Sequence, residues 1–357
     1  MTGSRRKRIV FALAAALLPF VLLSFALLAT DIYLHRRFAR TGGFNVWGYR
    51  GPIASRKAAD EYRAVMLGGS TVFGYGVPWD EAIPRQLEVA LRQRARRPMS
   101  VVNLGYNNEG AYSFAFTLAD YKYLKYDLVI LYEGYNDMMG DPNGPNLSVF
   151  RHDSPVFRLT GYLPIFPLVF REKAAVLLTG SAGSLYAASR DNRTVFRPGL
   201  ATRTTAEILN AAAGIGESLE RQLGRVSAEP QRQIDRADDS GCRAPWAEYC
   251  RSVQRAVRLA LDMNRQVLVV GQPLLTFRDL GARHRSQQTA IAEMIASRFG
   301  GDPRVRFVDI GSSVSVSDPA LSFDQMHLTA AGNRAVAAAL VEPVLQMAAA
   351  QSSARAR

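Results

Sequence analysis

A serine stands directly after an apolar run in Val65-Met66-Leu67-Gly68-Gly69-Ser70-Thr71-Val72-Phe73-Gly74. The flanking glycines let the chain turn sharply there and bring backbone N–H groups close to a ligand. A phosphate-binding loop is the rival for such a segment. No Gly-Lys-Ser/Thr follows, however, and Gly74-x-Gly76 lacks a third glycine at the next spacing. Near the other end, Asp324-Gln325-Met326-His327 sets a carboxylate three residues before an imidazole. In a turn the two lie on one side, with the aspartate accepting from one ring nitrogen while the other faces a nucleophile. Asn103-Leu104-Gly105-Tyr106 adds an unhindered backbone N–H, and Tyr132-Glu133-Gly134-Tyr135-Asn136-Asp137 adds a side-chain amide. Acyl transfer needs such donors aimed at a developing oxyanion, and losing one typically costs roughly 3–4 kcal/mol of transition-state stabilisation. Singly, each residue has a plainer use. Ser70 serves as a turn or cap residue, Asp324 as a helix cap beside a surface histidine, Gly105 as a loop glycine and Asn136 as a turn asparagine.

The elements that must position these residues follow from the hydrophobic pattern. Short apolar runs alternate with helical periodicity, as expected for strands covered on both faces of a parallel sheet. The runs are Ala64–Leu67, Val101–Leu104, Leu128–Tyr132, Val267–Val270 and Val305–Val308. Between them, helices are predicted near Asp80–Arg94, Ala111–Leu124, Trp246–Asp262 and Gln287–Phe299, with a last one from about Thr329 that Pro343 should break. Five βα units predict an α/β, three-layer, flavodoxin-like domain with a five-stranded parallel sheet. All four chemical segments then fall at strand ends or just ahead of the last helix.

In that order, Gly-x-Ser, a glycine after strand two, Gly-x-Asn-Asp after strand three and Asp-x-x-His before the last helix, the chain resembles the SGNH (GDSL-like) hydrolase family. The resemblance covers roughly residues 64–140 and 265–340. It implies Ser70 as nucleophile, His327 as base, and Asp324 as the group that orients the ring. It also implies an oxyanion hole of the Ser70 and Gly105 N–H groups and the Asn136 side chain. One departure is visible: the family's Gly-Asp-Ser is Gly-Gly-Ser here, which bears on the subfamily more than on the mechanism. The implied function is a serine esterase that cleaves acyl esters, O-acetyl above all, of a carbohydrate or lipid. The alternatives are an O-acyltransferase or acetyl-handling partner in exported polysaccharide modification, and a non-catalytic binding protein on the same fold. No cofactor is implied. A transferase would need an activated donor outside the cytoplasm and so a multi-span membrane partner.

Composition narrows the setting. The 357 residues are 48% apolar, 21% charged and 10% aromatic, with two cysteines and four histidines. That excludes a disordered tail, a disulfide-dense scaffold and a four-cysteine zinc site, and it disfavours a His-rich metal centre. The net charge of +13 is uneven: the first forty residues carry +6 and the other 317 carry +7, mostly scattered. A basic tail flanking an apolar run suits anionic lipid head groups rather than nucleic acid. Residues Ile9–Ala29 hold no charge over 21 positions, enough for a helix of roughly 30 Å, the thickness of a bilayer core. A cleaved signal peptide begins the same way. This apolar run exceeds the usual ~7–15 residues, though, and no small-x-small site follows, so an uncleaved anchor is expected.

The expected organisation is a basic tail and transmembrane anchor over 1–40 and the hydrolase-like domain over 41–357. A mostly helical insertion at about 141–241 includes a stretch with Ile208, Ala212, Ile215 and Leu219 on one face. Cys242 and Cys250 suit a small disulfide loop in an oxidising compartment, two unrelated thiols being the other reading. With the anchor, the loop points to a single-pass protein of the inner membrane whose main domain lies in the periplasm or outside the cell. His35, His152 and His284 are expected at the surface.

Overall fold

A computed structural model describes residues 2–132, 134–139, 146–180, 200–226, 240–276 and 280–355. Parts of the expected insertion (141–145, 181–199 and 227–239) lie outside the described residues. In chain order, α1 (Thr2–Phe38) is followed by β1 (Tyr62–Gly68), the one-turn α2 (Ser70–Phe73), α3 (Ile83–Arg94) and β2 (Met99–Asn103). Next come α4 (Ser113–Asp120), β3 (Leu128–Tyr132), α5 (Tyr135–Met139), α6 (Phe150–Asp153), α7 (Pro155–Thr160), α8 (Phe166–Thr179) and α9 (Leu200–Val226). The chain then runs through α10 (Ala247–Asp262), β4 (Gln266–Gly271), α11 (Leu280–Phe299), β5 (Val305–Asp309) and α12 (Ala330–Arg355). It divides into two compact units, Met1–Phe38 with Tyr162–Glu229, and Ala39–Gly161 with Pro230–Arg357. Residues 146–161 thus go with the larger unit.

The larger unit is built on a parallel five-stranded sheet of order β2-β1-β3-β4-β5. Every residue of β1, β3 and β4 is buried, which is why these strands read as unbroken apolar runs. Each fully buried Val, Leu or Ile contributes about 1.5–3 kcal/mol relative to exposure. The edge strand β5 has no fully buried residue. Helices α3 and α12 pack together, as do α4 with α10 and α10 with α11, giving helical layers on both sides of the sheet. Strand order reverses at β1: β2 lies on one side of it and β3 on the other. The crevice beyond the carboxyl ends of β1 and β3 is therefore the topological switch point, where open α/β sheets bind ligands.

Two expectations about this unit need correction. Pro343 does not end the last helix, which runs through it to Arg355. Leu340, Val341, Val344 and Met347 around it are all buried, so packing against α3 outweighs the lost N–H. His284 is not a surface residue but is fully buried: Leu275 N–H donates to its Nδ1 at 3.2 Å, and its Nε2 lies 3.0 Å from the Gln288 amide nitrogen. Burial pushes its imidazole down to about 4, so it is neutral at physiological pH. His152, half-buried, sits against Asp120 at 3.0 Å. Cys242 and Cys250 are disulfide-bonded ahead of and within α10.

In the smaller unit, Val10–Phe38 of α1 is long and apolar enough to cross a membrane, by length and composition. Beyond the most apolar stretch, Asp31 is buried and accepts the N–H groups of Ile165 (2.8 Å) and Phe166 (2.6 Å), together with the Tyr162 hydroxyl. His35, also buried rather than exposed, bonds the Leu163 carbonyl at 2.9 Å. Helix α1 thus caps the start of α8. Helix α9 packs on α8 through Ala206, Ala213 and Gly216, and a Cβ at Gly216 would meet the Phe166 ring at 2.4 Å. The bulk of Phe166 demands small partners, so the stripe with Ile208 and Ile215 points to solvent instead, at 64% and 45% exposure.

Candidate active site

Ser70 opens α2 directly after β1, where Gly68 and Gly69 make the turn. A side chain at Gly68 is impossible without rearrangement, because its Cβ would lie 2.1 Å from the Tyr132 carbonyl oxygen. Gly105, two residues past β2, is constrained in the same way: its Cβ would meet the Phe73 nitrogen at 2.6 Å. The ends of three adjacent strands therefore close tightly around α2. Two buried side chains outside the expected set fix the carbonyls at its far end. Asn103 Nδ2 donates to Val72 O at 2.9 Å. Arg50, 3% exposed, donates to the carbonyls of Phe73, Gly74 (2.6 Å), Val77 and Thr41 (2.8 Å), with its guanidinium 4.2 Å over the Phe73 ring. Burial pulls this guanidinium down to about 10, against the pull of Asp80, which leaves it charged at neutral pH.

The partner loop comes from the segment before α12. Ser322 Oγ donates to the His327 carbonyl (2.9 Å) and Thr329 N–H to the Leu321 carbonyl (2.9 Å). Gln325 adopts a left-handed φ of 65°, uncommon for a residue with a Cβ. That kink lets the Asp324 carboxylate accept the backbone N–H groups of Met326 (3.0 Å) and His327 (2.6 Å) on Oδ1, while Oδ2 lies 2.6 Å from His327 Nδ1. Ser70 Oγ lies 2.8 Å from His327 Nε2. Residues 257 positions apart are thus in hydrogen-bond contact. Partial burial pushes the Asp324 carboxyl up, but the His327 ring and the two backbone N–H groups outweigh it and hold it below the usual carboxylate range. An ionised carboxylate only accepts, so the ring proton sits on Nδ1, and Nε2 is left to accept from the Ser70 hydroxyl.

The two remaining expected donors stand at the neighbouring strand ends, each with an acceptor of its own. Gly105 N–H donates to Asn103 Oδ1 at 3.0 Å, and Asn136 Nδ2 donates to the Glu109 carbonyl at 2.8 Å. Next to Asn136, Asp137 accepts Ala111 N–H at 2.9 Å, and burial against Gly110 pushes its carboxyl up to about 7. Below this loop, Glu109 and Arg151 form a buried ion pair at 3.4 Å, with Arg151 also donating to the Leu104 carbonyl at 2.8 Å. Burial raises the Glu109 carboxyl despite that arginine.

Sequence reasoning passed over two aromatic residues beside the imidazole. Tyr75 lies 4.8 Å from the His327 ring, centroid to centroid, and Phe323 lies 6.0 Å away and nearly parallel at 15°. Adjacency of Phe323 to Asp324 was the available signal. A cavity of about 510 Å³ behind α2, lined by Arg50, Arg63, Trp79, Glu88 and Arg92 among others, contains none of the three reactive groups. Among the described residues, no cluster of three or more His, Cys, Asp or Glu is placed to hold a metal ion.

No family model matches the chain, and no curated protein matches it. Solved structures do. A member of the lipolytic protein G-D-S-L family from Veillonella parvula DSM 2008 is 10% identical, with a TM-score of 0.42 over 79% of this chain and 97% of that one. A GDSL-like lipase from Bacteroides thetaiotaomicron VPI-5482 is 13% identical (TM-score 0.40, 83% and 93% covered). A carbohydrate acetylesterase from Sinorhizobium meliloti is 12% identical (TM-score 0.38, 80% and 99% covered). It is the ordering of the site residues along a 2-1-3-4-5 sheet, more than any such percentage, that makes this chain resemble the SGNH (GDSL-like) hydrolases.

Proposed function

We propose that the chain is a serine esterase of the SGNH type, acting on acyl esters of a carbohydrate or lipid, O-acetyl esters above all. The single observation that carries this reading is the continuous Ser70–His327–Asp324 hydrogen-bonded line, at 2.8 and 2.6 Å. Ser70 Oγ attacks the ester carbonyl carbon while its proton passes to His327 Nε2. The carbonyl oxygen becomes an oxyanion facing the strand-end N–H donors, with the Asn136 amide held in place by Glu109 and Gly105 N–H released from Asn103. Collapse expels the alkoxide, which takes the proton from Nε2 and leaves an acyl-serine. Water then attacks the acyl carbon, gives a proton to Nε2, and the carboxylic acid departs as Ser70 recovers its hydrogen. Asp324 stays ionised throughout and stabilises the transient imidazolium. Helix α1 would hold the enzyme to the inner membrane, and the Cys242–Cys250 bond supports an extracytoplasmic location for the larger unit.

The test uses the full-length protein in detergent with p-nitrophenyl acetate. Wild type should release p-nitrophenol, and Ser70→Ala should be slower by roughly 10³-fold or more. Equal rates for the two would sink the assignment. Adding an oligosaccharide acceptor separates esterase from O-acyltransferase, because in the latter the acetyl group appears on the sugar.

A further inference from the structure

We infer that Tyr75 and Phe323 are specificity-determining residues that receive the C–H face of a pyranose ring, so that the ester is carried by a sugar and not by a lipid. The inference rests on the esterase reading above and deepens it. Both rings flank the imidazole that serves the nucleophile, at 4.8 and 6.0 Å, so they are within reach of a group that carries an ester to Ser70. Both stand half in water, Tyr75 at 51% and Phe323 at 48% exposure. Phe323 is held in this pose because Gly76 leaves room for it: a Cβ there would lie 2.5 Å from the ring. Tyr75 is fixed from the other side, its N–H donating to the Ser70 carbonyl at 2.9 Å. The rim is open, with the Asp324 side chain 44% exposed.

The chemistry of the occupant follows from that openness. An alkyl chain gains by leaving water on all sides, in proportion to the apolar area removed. Laid across two half-wet rings it would keep much of its length solvated. A pyranose is amphiphilic in the matching sense. Its axial C–H groups present a flat, weakly positive face to the negative face of an aromatic ring, while its hydroxyls stay in water at the open side. Tyr75 adds a phenolic hydroxyl at the solvent edge, a donor and acceptor for such hydroxyls.

The experiment uses full-length protein in detergent. Binding is read by calorimetry in the Ser70→Ala background, with acetylated xylo-, chito- and manno-oligosaccharides and dioctanoylphosphatidylcholine as probes. At least one acetylated oligosaccharide should bind, and Tyr75→Ala with Phe323→Ala should weaken it tenfold or more. Tyr75→Phe with Phe323→Tyr, which keep both faces, should stay within threefold. In the Ser70-intact enzyme, the alanine pair should raise KM on that oligosaccharide far more than it lowers kcat. Its loss of kcat/KM there should exceed the loss on acyclic triacetin at least tenfold. The inference is overturned if none of the three oligosaccharides binds, if the alanine pair leaves binding unchanged, or if phosphatidylcholine binding is what the pair removes. Those failures are distinct from failure of the esterase reading, which shows as equal hydrolysis by wild type and Ser70→Ala.

Discussion

Ser70 and His327 are hydrogen-bond neighbours, yet the first is rooted in the buried core and the second in a partly exposed turn. Ser70 follows a strand buried at every residue, and the helix it opens is held by Asn103 and the enclosed cation of Arg50. His327 is positioned by a short loop whose bonds are mostly to itself: Asp324 to two backbone N–H groups, Ser322 and Phe323 to the His327 carbonyl. Ser70 is thus placed by the same contacts that stabilise the fold, and His327 by contacts the fold hardly needs. Changes on the two sides should separate stability from rate.

The largest expected effect is on rate alone. Asp324→Asn keeps an oxygen for the Met326 and His327 N–H groups but loses the charge that fixes the ring tautomer. Activity should fall about 10²- to 10⁴-fold, with the melting temperature within about 2 °C of wild type in a thermal-shift scan. A melting loss as large as that of the next variant would erase the distinction drawn here. Arg50→Met should do the opposite in proportion. It strands several buried carbonyls, each costing about 1–3 kcal/mol if left without a donor. Melting should drop by about 5 °C or more, and kcat should fall about tenfold as α2 loosens.

The smallest effect sharpens the nucleophile side. The Asp137 carboxyl, pushed up to about 7, favours its protonated form in the folded state. Folding therefore takes up a proton, and stability declines as pH rises from the ordinary carboxylate range through about 7. Asp137→Asn removes that penalty while leaving an acceptor for Ala111 N–H. The melting difference, variant minus wild type, should become more positive by about 2 °C between pH 5 and pH 8. A difference flat with pH would show that Asp137 ionises as readily in the folded protein as in the unfolded chain.

Much of this arrangement was legible before any coordinates. Ala64–Leu67, Leu128–Tyr132 and Val267–Val270 read as strands because strands covered on both faces need no polar alternation, and all three lie inside strands. The meeting of Ser70 with His327 was what the resemblance implied, because the four segments come in the order found in the SGNH hydrolases. What escaped was whatever depends on a neighbour's shape. Pro343 looked like a terminator because its local penalty is visible and the packing of Val344 and Met347 is not. Periodicity set Ile208 and Ile215 on one apolar face of a helix, but it could not show that Ala206, Ala213 and Gly216, rather than that face, meet α8. His284 and His35 looked like surface residues because a histidine's partners, Leu275 and Leu163 here, are backbone atoms that leave no mark in sequence. Arg50 belongs to none of the four chemical segments, and only the fold shows the carbonyls it gathers.

The carboxylate of Asp31 ties the apolar helix to residues 162–166 through two amide hydrogens and a phenol. This gives α1 a second point of attachment that covalent connectivity does not reveal. A protease that nicked the peptide around Thr41–Gly43 would cut one strand of a doubled leash. Separation of residues 1–41 from the rest of the chain would need a second cut on the far side of that clasp, or rupture of the clasp itself. The amino-terminal helix is in this sense held against loss by a single proteolytic event.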